Sequence, residues 1–392
     1  MSDFPTANSE LPRPGGATIL CVAGARPNFI KVAPIVAALR TRPAVRVSLV
    51  HTGQHYDAAM NDVFFEDLGI PKPDVALDVG SGSHAVQTAA IMQGIEPVMD
   101  TVAPRLVLVV GDVNSTLAAA LVAAKKGIAV AHVEAGLRSF DRRMPEEINR
   151  VLTDQISDLL FTTERTAESH LRREGVAPER IYFVGNVMID SLRQSLGRAV
   201  PAAQTLAEAG APPRFCAGYA LLTLHRPSNV DDPDVLAALL DTLLDVSKRL
   251  PIVFPAHPRT AARIAAAGLE ARLDPNRIFR LPPMGYLATL GLMRAARVVL
   301  TDSGGMQEET TALGVPCLTL RENTERPITV SEGTNIVVGT DRARILAAVE
   351  DVLQNGGKAG RVPELWDGRA AERIADHLCE WLRSSRPDLA GL

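Results

Sequence analysis

This sequence predicts an α/β protein made of two doubly wound, Rossmann-like domains in series. Three observations carry that expectation. At 392 residues the chain exceeds one ordinary hydrophobic core, and at about 150 residues per domain it suggests two. Short runs rich in Val, Ile and Leu alternate with helical patterns, the signature of parallel sheets covered on both faces. The alternation stops after Asp190 and then starts again.

In the first half the expected strands are ATILCVA from 17, VRVSLVHT from 45, RLVLVV from 105, IAVAHV from 128, DLLFTT from 158 and IYFVG from 181. Between them, Pro34 to Arg40 fits the first turns of a helix and Thr116 to Lys125 is Ala/Leu-rich. Pro145 opens a segment with apolar residues at 148, 151, 152 and 156, which is one helical face. A Pro/Gly-rich connection follows Asp190. The second half then reads YALLTL from 219, PIVFP from 251, RIFRL from 277, RVVLT from 297, VPCLTL from 315 and NIVVG from 335. The expected division is a disordered tail over 1–16, a first domain over 17–190 and a second over 191–369. A C-terminal helix over 370–392 would return to the first domain. Two such domains leave a cleft faced by the carboxyl ends of their strands.

Composition narrows the function. A net charge of −4 gives no polycationic surface for nucleic acid. Aromatics at 4% are too sparse for base- or sugar-stacking platforms, so a sugar here would be gripped by polar groups. No run approaches the roughly 18 apolar residues that span a membrane, and the polar first sixteen residues do not read as an export signal. Cys21, Cys216, Cys317 and Cys379 are dispersed, as reduced thiols of a cytoplasmic protein would be, and no Cys or His spacing supports a metal site.

Several strand ends carry chemistry. Arg26 and Lys31 follow the first strand, where two cations at a strand-to-helix turn fit an anion and equally fit a solvated turn. Gly111-Asp112 and His132-Val133-Glu134 end neighbouring apolar strands, and an acid there loses hydration unless it has a partner or a task. Two carboxylates in differing surroundings suit acid/base work, and strand alternation puts His132 and Glu134 on one face. Glu146 lies in the first turn of the helix opened by Pro145, a position that capping alone would explain. His225 ends a strand in the second half, as a proton carrier could, and His257 ends the next. Thr301 to Glu309 runs from a strand through Ser303-Gly304-Gly305 into a helix, so free amides and a hydroxyl converge on a phosphate-sized space. Glu309, one turn deeper, suits the two hydroxyls of a ribose. Arg326 adds a cation after the next strand. Gly80 to Ala85 matches a dinucleotide fingerprint, but VALDV before it is a poor apolar strand, and nicotinamide binding is not expected.

Taken in order, GARPNFIK, TGQHYD, GDVNST, HVEAGLRS, MPEEINR, GNVMID, LHRPSN, DSGGMQEE and ENTERP strongly resemble the non-hydrolysing UDP-N-acetylglucosamine 2-epimerases, from about residue 17 to the C-terminal helix. The resemblance implies a glycosyltransferase-B-like fold and a homodimer. It also implies interconversion of UDP-GlcNAc and UDP-ManNAc without nicotinamide or metal. It places Arg26, Lys31, Asp112, Glu134, Glu146 and His225 at active-site positions, and Ser303, Gly304, Gly305, Glu309 and Arg326 at UDP-binding positions. Met284 stands where many members have Gln, and no aromatic lies at Thr289. Some bacterial members bind a second UDP-GlcNAc as an activator through a Gln-rich segment after Gln54, where this chain has Asp57. TGQHYD with EAGLRSF is also similar to relatives acting on UDP-diacetamido-glucuronic acid. A hydrolysing epimerase, a glycosyltransferase of the same architecture and a nucleotide-sugar sensor are the other readings.

Overall fold

The computed structural model describes residues 16–24, 26–53, 69 and 72–385, excluding the side chains of Arg26 and Pro27. The expected tail up to residue 15, Ala25 and the segment around Gln54 and Asp57 lie outside the described residues. The chain divides into two compact units, Met1–Ser191 with Glu364–Leu392, and Leu192–Pro363.

The first unit holds a parallel sheet of β1 (Ala17–Ala23), β2 (Val45–His51), β3 (Val75–Ala76), β4 (Leu106–Val110), β5 (Ala129–Val133), β6 (Leu159–Thr162) and β7 (Ile181–Phe183), in the order β3-β2-β1-β4-β5-β6-β7. All five residues of β4 are buried, because helices cover both faces of a doubly wound sheet. Leu20, Val22, Val107, Val109 and Val130 share a core with Ile95 and Met99 of helix His84–Val102 and Ala119 of helix Asn114–Lys125. After β3 the chain crosses to the other side of β1, so the strand order reverses between β1 and β4. A crevice opens outside the carboxyl ends of the strands at such a reversal.

Local details differ from the sequence pattern in three places. VALDV contributes β3, a strand of two residues at the sheet edge. The first helix runs Arg26–Arg40, two turns earlier than expected, with Pro34 inside it. Helix Pro145–Ile156 is inverted. Its Glu147, Asn149, Arg150, Thr153 and Asp154 are buried, whereas Ile148 and Leu152 are 46% and 47% exposed.

The C-terminal helix Ala370–Ser384 belongs to the first unit and packs on helix Arg26–Arg40. Its first amides need acceptors, and no side chain of its own caps it. Asp190 supplies them, accepting from Ala370 N–H at 3.2 Å and Ala371 N–H at 2.8 Å. Burial lifts the Asp190 carboxyl to about 6 despite these two bonds. Trp366, fully buried, donates to the Thr163 carbonyl at 3.1 Å.

The second unit holds β8 (Ala220–Thr223), β9 (Ile252–Pro255), β10 (Ile278–Leu281), β11 (Val298–Thr301), β12 (Cys317–Thr319) and β13 (Asn335–Val337), all parallel, in the order β10-β9-β8-β11-β12-β13. Leu222, Phe254, Leu300 and Leu318 pack with Leu239 and Leu243 of helix Pro233–Ser247. The order reverses between β8 and β11, again marking a crevice at the carboxyl ends. Among the described residues no helix is long and apolar enough to cross a membrane.

Candidate active site

In the first unit the charged side chains collect at the β1/β4 reversal and the adjoining end of β5. Gly111 leaves β4 at φ +73°, and a Cβ there would stand 3.3 Å from Glu134 Oε2 and 3.5 Å from Lys31 Nζ. That close approach requires glycine. Lys31, on the inward face of helix Arg26–Arg40, forms a buried ion pair with Glu134. Asp112 Oδ2 accepts from Arg150 Nη2 at 2.5 Å, and its carbonyl accepts from Asn149 Nδ2 at 2.9 Å. Arg150 bridges onward to Glu147 Oε2 at 2.6 Å. Lys31–Glu134 and Arg150–Asp112 therefore stand as two ion pairs at neighbouring strand ends.

The two acids of MPEEINR separate into different tasks. Glu147 is buried and accepts from Ser139 N–H, Ser139 Oγ and Phe140 N–H, all at 2.9 Å, so it holds the loop before the helix. Glu146 is half-buried in the first turn, one turn before Arg150 and Asn149. The side chain of Arg26 lies outside the described residues.

His132 is committed to a buried hydrogen-bond network. Its ring is fully buried, with Nδ1 2.6 Å from Asp154 Oδ1 and Nε2 2.8 Å from the Gly111 carbonyl. The alternation argument fails here because Glu134, at φ +68°, is not an extended strand residue.

In the second unit the same rule holds at the β8/β11 reversal. His225 Nδ1 stands 2.7 Å from Asp302 Oδ1, and the ring is about one-third exposed. Asp302 also accepts from His225 N–H at 3.0 Å, Arg226 N–H at 2.9 Å and Asn229 Nδ2 at 3.2 Å. Burial would raise its carboxyl, but the hydrogen bond and charge of His225 and the two amides outweigh that and hold it below the ordinary carboxylate range. Asp302 is a residue that the sequence reading passed over, although it ends an apolar strand as Asp112 does. His257 accepts from Arg259 N–H at 3.2 Å and so caps helix Pro258–Ala266.

Ser303 is the N-cap residue of helix Gly304–Leu313, with no side-chain cap bond, which leaves its hydroxyl uncommitted to the helix. Gly304 is needed for a structural reason: a Cβ there would come within 2.8 Å of Glu325 Oε1. Glu325 is ringed by guanidinium groups, with Arg321 at 2.8 Å and Arg226 at 3.5 Å. Burial pushes its carboxyl up, but Arg326, Arg321 and Arg226 together pull it down to about 2. Arg326 Nε stands 2.8 Å from Glu308 Oε1. The guanidinium groups of Arg226, Arg321 and Arg326 thus gather beside a helix N-terminus, which suits a diphosphate.

Glu309 faces a different neighbour. Its Oε1 accepts from the Tyr286 hydroxyl at 2.7 Å, inside a buried pocket. Burial lifts its carboxyl to about 7; the Tyr286 bond works against this and the Glu308 charge adds to it. Tyr286 is a further site residue missed in the sequence, although it lies two positions beyond Met284.

Two parallel, doubly wound units with charged groups at both reversals define the glycosyltransferase-B-like class of nucleotide-sugar proteins. The sequence profile of the UDP-N-acetylglucosamine 2-epimerases matches residues 37–379, and the chain belongs to that family. It is 44% identical over 337 residues to a UDP-N-acetylglucosamine 2-epimerase of Methanococcus maripaludis, covering 85% of this chain and 91% of that one. It is 41% identical over 369 residues to a UDP-2,3-diacetamido-2,3-dideoxy-D-glucuronate 2-epimerase of Pseudomonas aeruginosa, covering 92% and 99%. A crystal structure of the Methanocaldococcus jannaschii UDP-GlcNAc 2-epimerase in complex with UDP-GlcNAc and UDP matches with TM-score 0.81 and 41% identity, covering 93% of this chain and 99% of that one.

Proposed function

We propose that this chain epimerises UDP-GlcNAc to UDP-ManNAc at C2, reversibly and without net hydrolysis. The observation that carries the reading is the pairing of Asp112 with Arg150 and of Glu134 with Lys31 at adjacent strand ends. In each pair the cation fixes the carboxylate in place at its strand end, the positioning that proton transfer at a defined atom requires.

The C2 hydrogen has no neighbouring carbonyl, so direct deprotonation is very costly. Breaking the C1–O bond to UDP places positive charge at C1 and acidifies C2–H. A carboxylate among Asp112, Glu134 and Glu146 takes the proton, the C2–H electrons form the C1=C2 bond of 2-acetamidoglucal, and the C1–O electrons leave with UDP. Re-addition of UDP at C1, with proton delivery to the opposite face of C2, completes the epimerisation. His225, held at Nδ1 by Asp302, donates from Nε2 toward the departing diphosphate. Arg26, Lys31, Ser303, Gly304, Gly305 and Arg326 bind the diphosphate end, and Glu309 accepts from the ribose. Water must be kept from the intermediate, which it would otherwise trap as free sugar.

The test is incubation with UDP-GlcNAc alone in D2O. Deuterium at C2 with a UDP-sugar product supports the reading, and its absence rejects epimerisation. Free ManNAc with stoichiometric UDP would move the chain to the hydrolysing branch. The similarity to the Pseudomonas enzyme favours one second reading, the 3-acetamido uronate analogue as substrate, so the assay includes it.

We further propose that the chain works in the cytoplasm as a homodimer. Phe140, Ile148 and Leu152, all exposed, form the apolar face that a second copy would cover.

A further inference from the structure

We propose that Asp154 and His132 form a buried clamp that positions Glu134, holding its backbone in the left-handed conformation from which the carboxylate reaches Lys31 and the Asp112 edge. The role of Glu134 in the reaction rests on the epimerase reading; the clamp itself rests on geometry.

Glu134 is a non-glycine residue at φ +68°. That conformation is strained for an L side chain, and such strain persists only where the surroundings over-determine it. Here they do so from both sides. Two residues before Glu134, the His132 ring bonds Asp154 Oδ1; two residues after it, Gly136 N–H donates to Asp154 Oδ2 at 3.1 Å. One carboxylate therefore grips both flanks of the strained residue. Arg138 Nη2, at 2.6 Å from the same Oδ2, anchors Asp154 in turn.

The other ring nitrogen ties the clamp to the second carboxylate. His132 Nε2 meets the carbonyl of Gly111, the residue before Asp112. Neither a carbonyl nor a carboxylate can donate, so the ring satisfies both only with a proton on each nitrogen. Burial alone would raise the Asp154 carboxyl, but His132 and then Arg138 outweigh it and keep it below the ordinary carboxylate range.

Asp154→Asn replaces one accepting oxygen with a donor while keeping the shape, and His132→Gln removes the two-sided ring. Both variants are measured for UDP binding, KM, kcat, pH–rate profile and C2 exchange in D2O, and by crystallography. The expected result is a kcat lower by about 100-fold, the loss typical of a misplaced group, with a parallel loss of C2 exchange. UDP binding and KM stay unchanged, the pH–rate profile shifts, and the variant structures show Glu134 out of the left-handed region. A merely structural role would lower the folded, UDP-binding fraction and leave the profile and the KM of the remainder unmoved. Retained kcat in both variants overturns the proposal, as does a loss of kcat with Glu134 still at its native φ. If the unaltered chain fails to exchange C2–H, the epimerase reading falls, and the conformation of Glu134 in the two variant structures alone decides the clamp.

Discussion

The Glu309 carboxyl makes the affinity for UDP-sugar a measurable function of pH. Burial lifts it to about 7 from an ordinary value near 4.5, so near neutrality the pocket holds a mixture of carboxylic acid and carboxylate. Only the carboxylate can accept from both hydroxyls of a ribose while Tyr286 O–H also donates to it. At pH 6 about one molecule in eleven carries the ionised form, and at pH 8 about ten in eleven. If binding requires the ionised form, affinity rises roughly tenfold over that interval, about 1.4 kcal/mol.

The linkage has a definite sign for folding as well. The folded carboxyl binds its proton more tightly than the unfolded one, so the free chain loses stability as pH rises from 4.5 through 7, by about 3 kcal/mol in total. Ligand that satisfies the carboxylate recovers part of that loss. Isothermal titration with UDP-GlcNAc is the assay, because both ends of its diphosphate are esterified and it does not itself titrate near neutrality. Glu309→Gln should abolish the slope, and Tyr286→Phe, which removes a donor that favours the ionised form, should move the rise to higher pH. The diagnostic quantity is the slope of the parent protein minus that of Glu309→Gln. A difference of zero, or affinity falling with pH in that difference, would refute the reasoning.

Lys31→Met should leave the Glu134 charge buried without its cation and lower stability by about 3–5 kcal/mol, read as a fall in the urea midpoint. Asp190→Asn tests the cap on the C-terminal helix: because the Asp190 carboxyl is raised to about 6, the stability of the parent relative to this variant should decline by about 2 kcal/mol between pH 4 and 6, measured by urea unfolding. Gly136→Ala would set a Cβ 2.5 Å from the Ala167 carbonyl at a φ of +78°, so thermal stability should fall and C2 exchange with it. Leu152→Asp should convert a dimer to monomer in sedimentation without unfolding it; an unchanged sedimentation profile would remove this face from the interface.

The strands were legible because each is a short buried run, and a doubly wound sheet demands that pattern from the sequence itself. β3 was not, since a two-residue edge strand needs no apolar run. The site was legible where one rule applies, a charged residue at the carboxyl end of a buried strand. That rule found Asp112, Glu134 and His225, and applied once more it would have found Asp302. It could not tell Glu146 from Glu147, because both are acids in the first turn and only the fold shows that Glu147 is consumed by Ser139, Phe140 and Arg150.

Helix Pro145–Ile156 shows most clearly where periodicity stops being enough. Its apolar spacing is that of a helix packing on its own core, yet the face it buries is the charged one. Hydrophobic burial ordinarily decides which face turns inward, at about 25 cal/mol per Å² of apolar surface. Two large side chains cannot outweigh a polar face that satisfies so many partners: Asn149 and Arg150 hold Asp112, and Asp154 holds His132, Gly136 and Arg138. Turning the helix over would leave those groups unpaired in the interior, each at a cost of about 1–3 kcal/mol or more where charged. The site thus dictates the packing of this helix, and Ile148 and Leu152 are left facing outward.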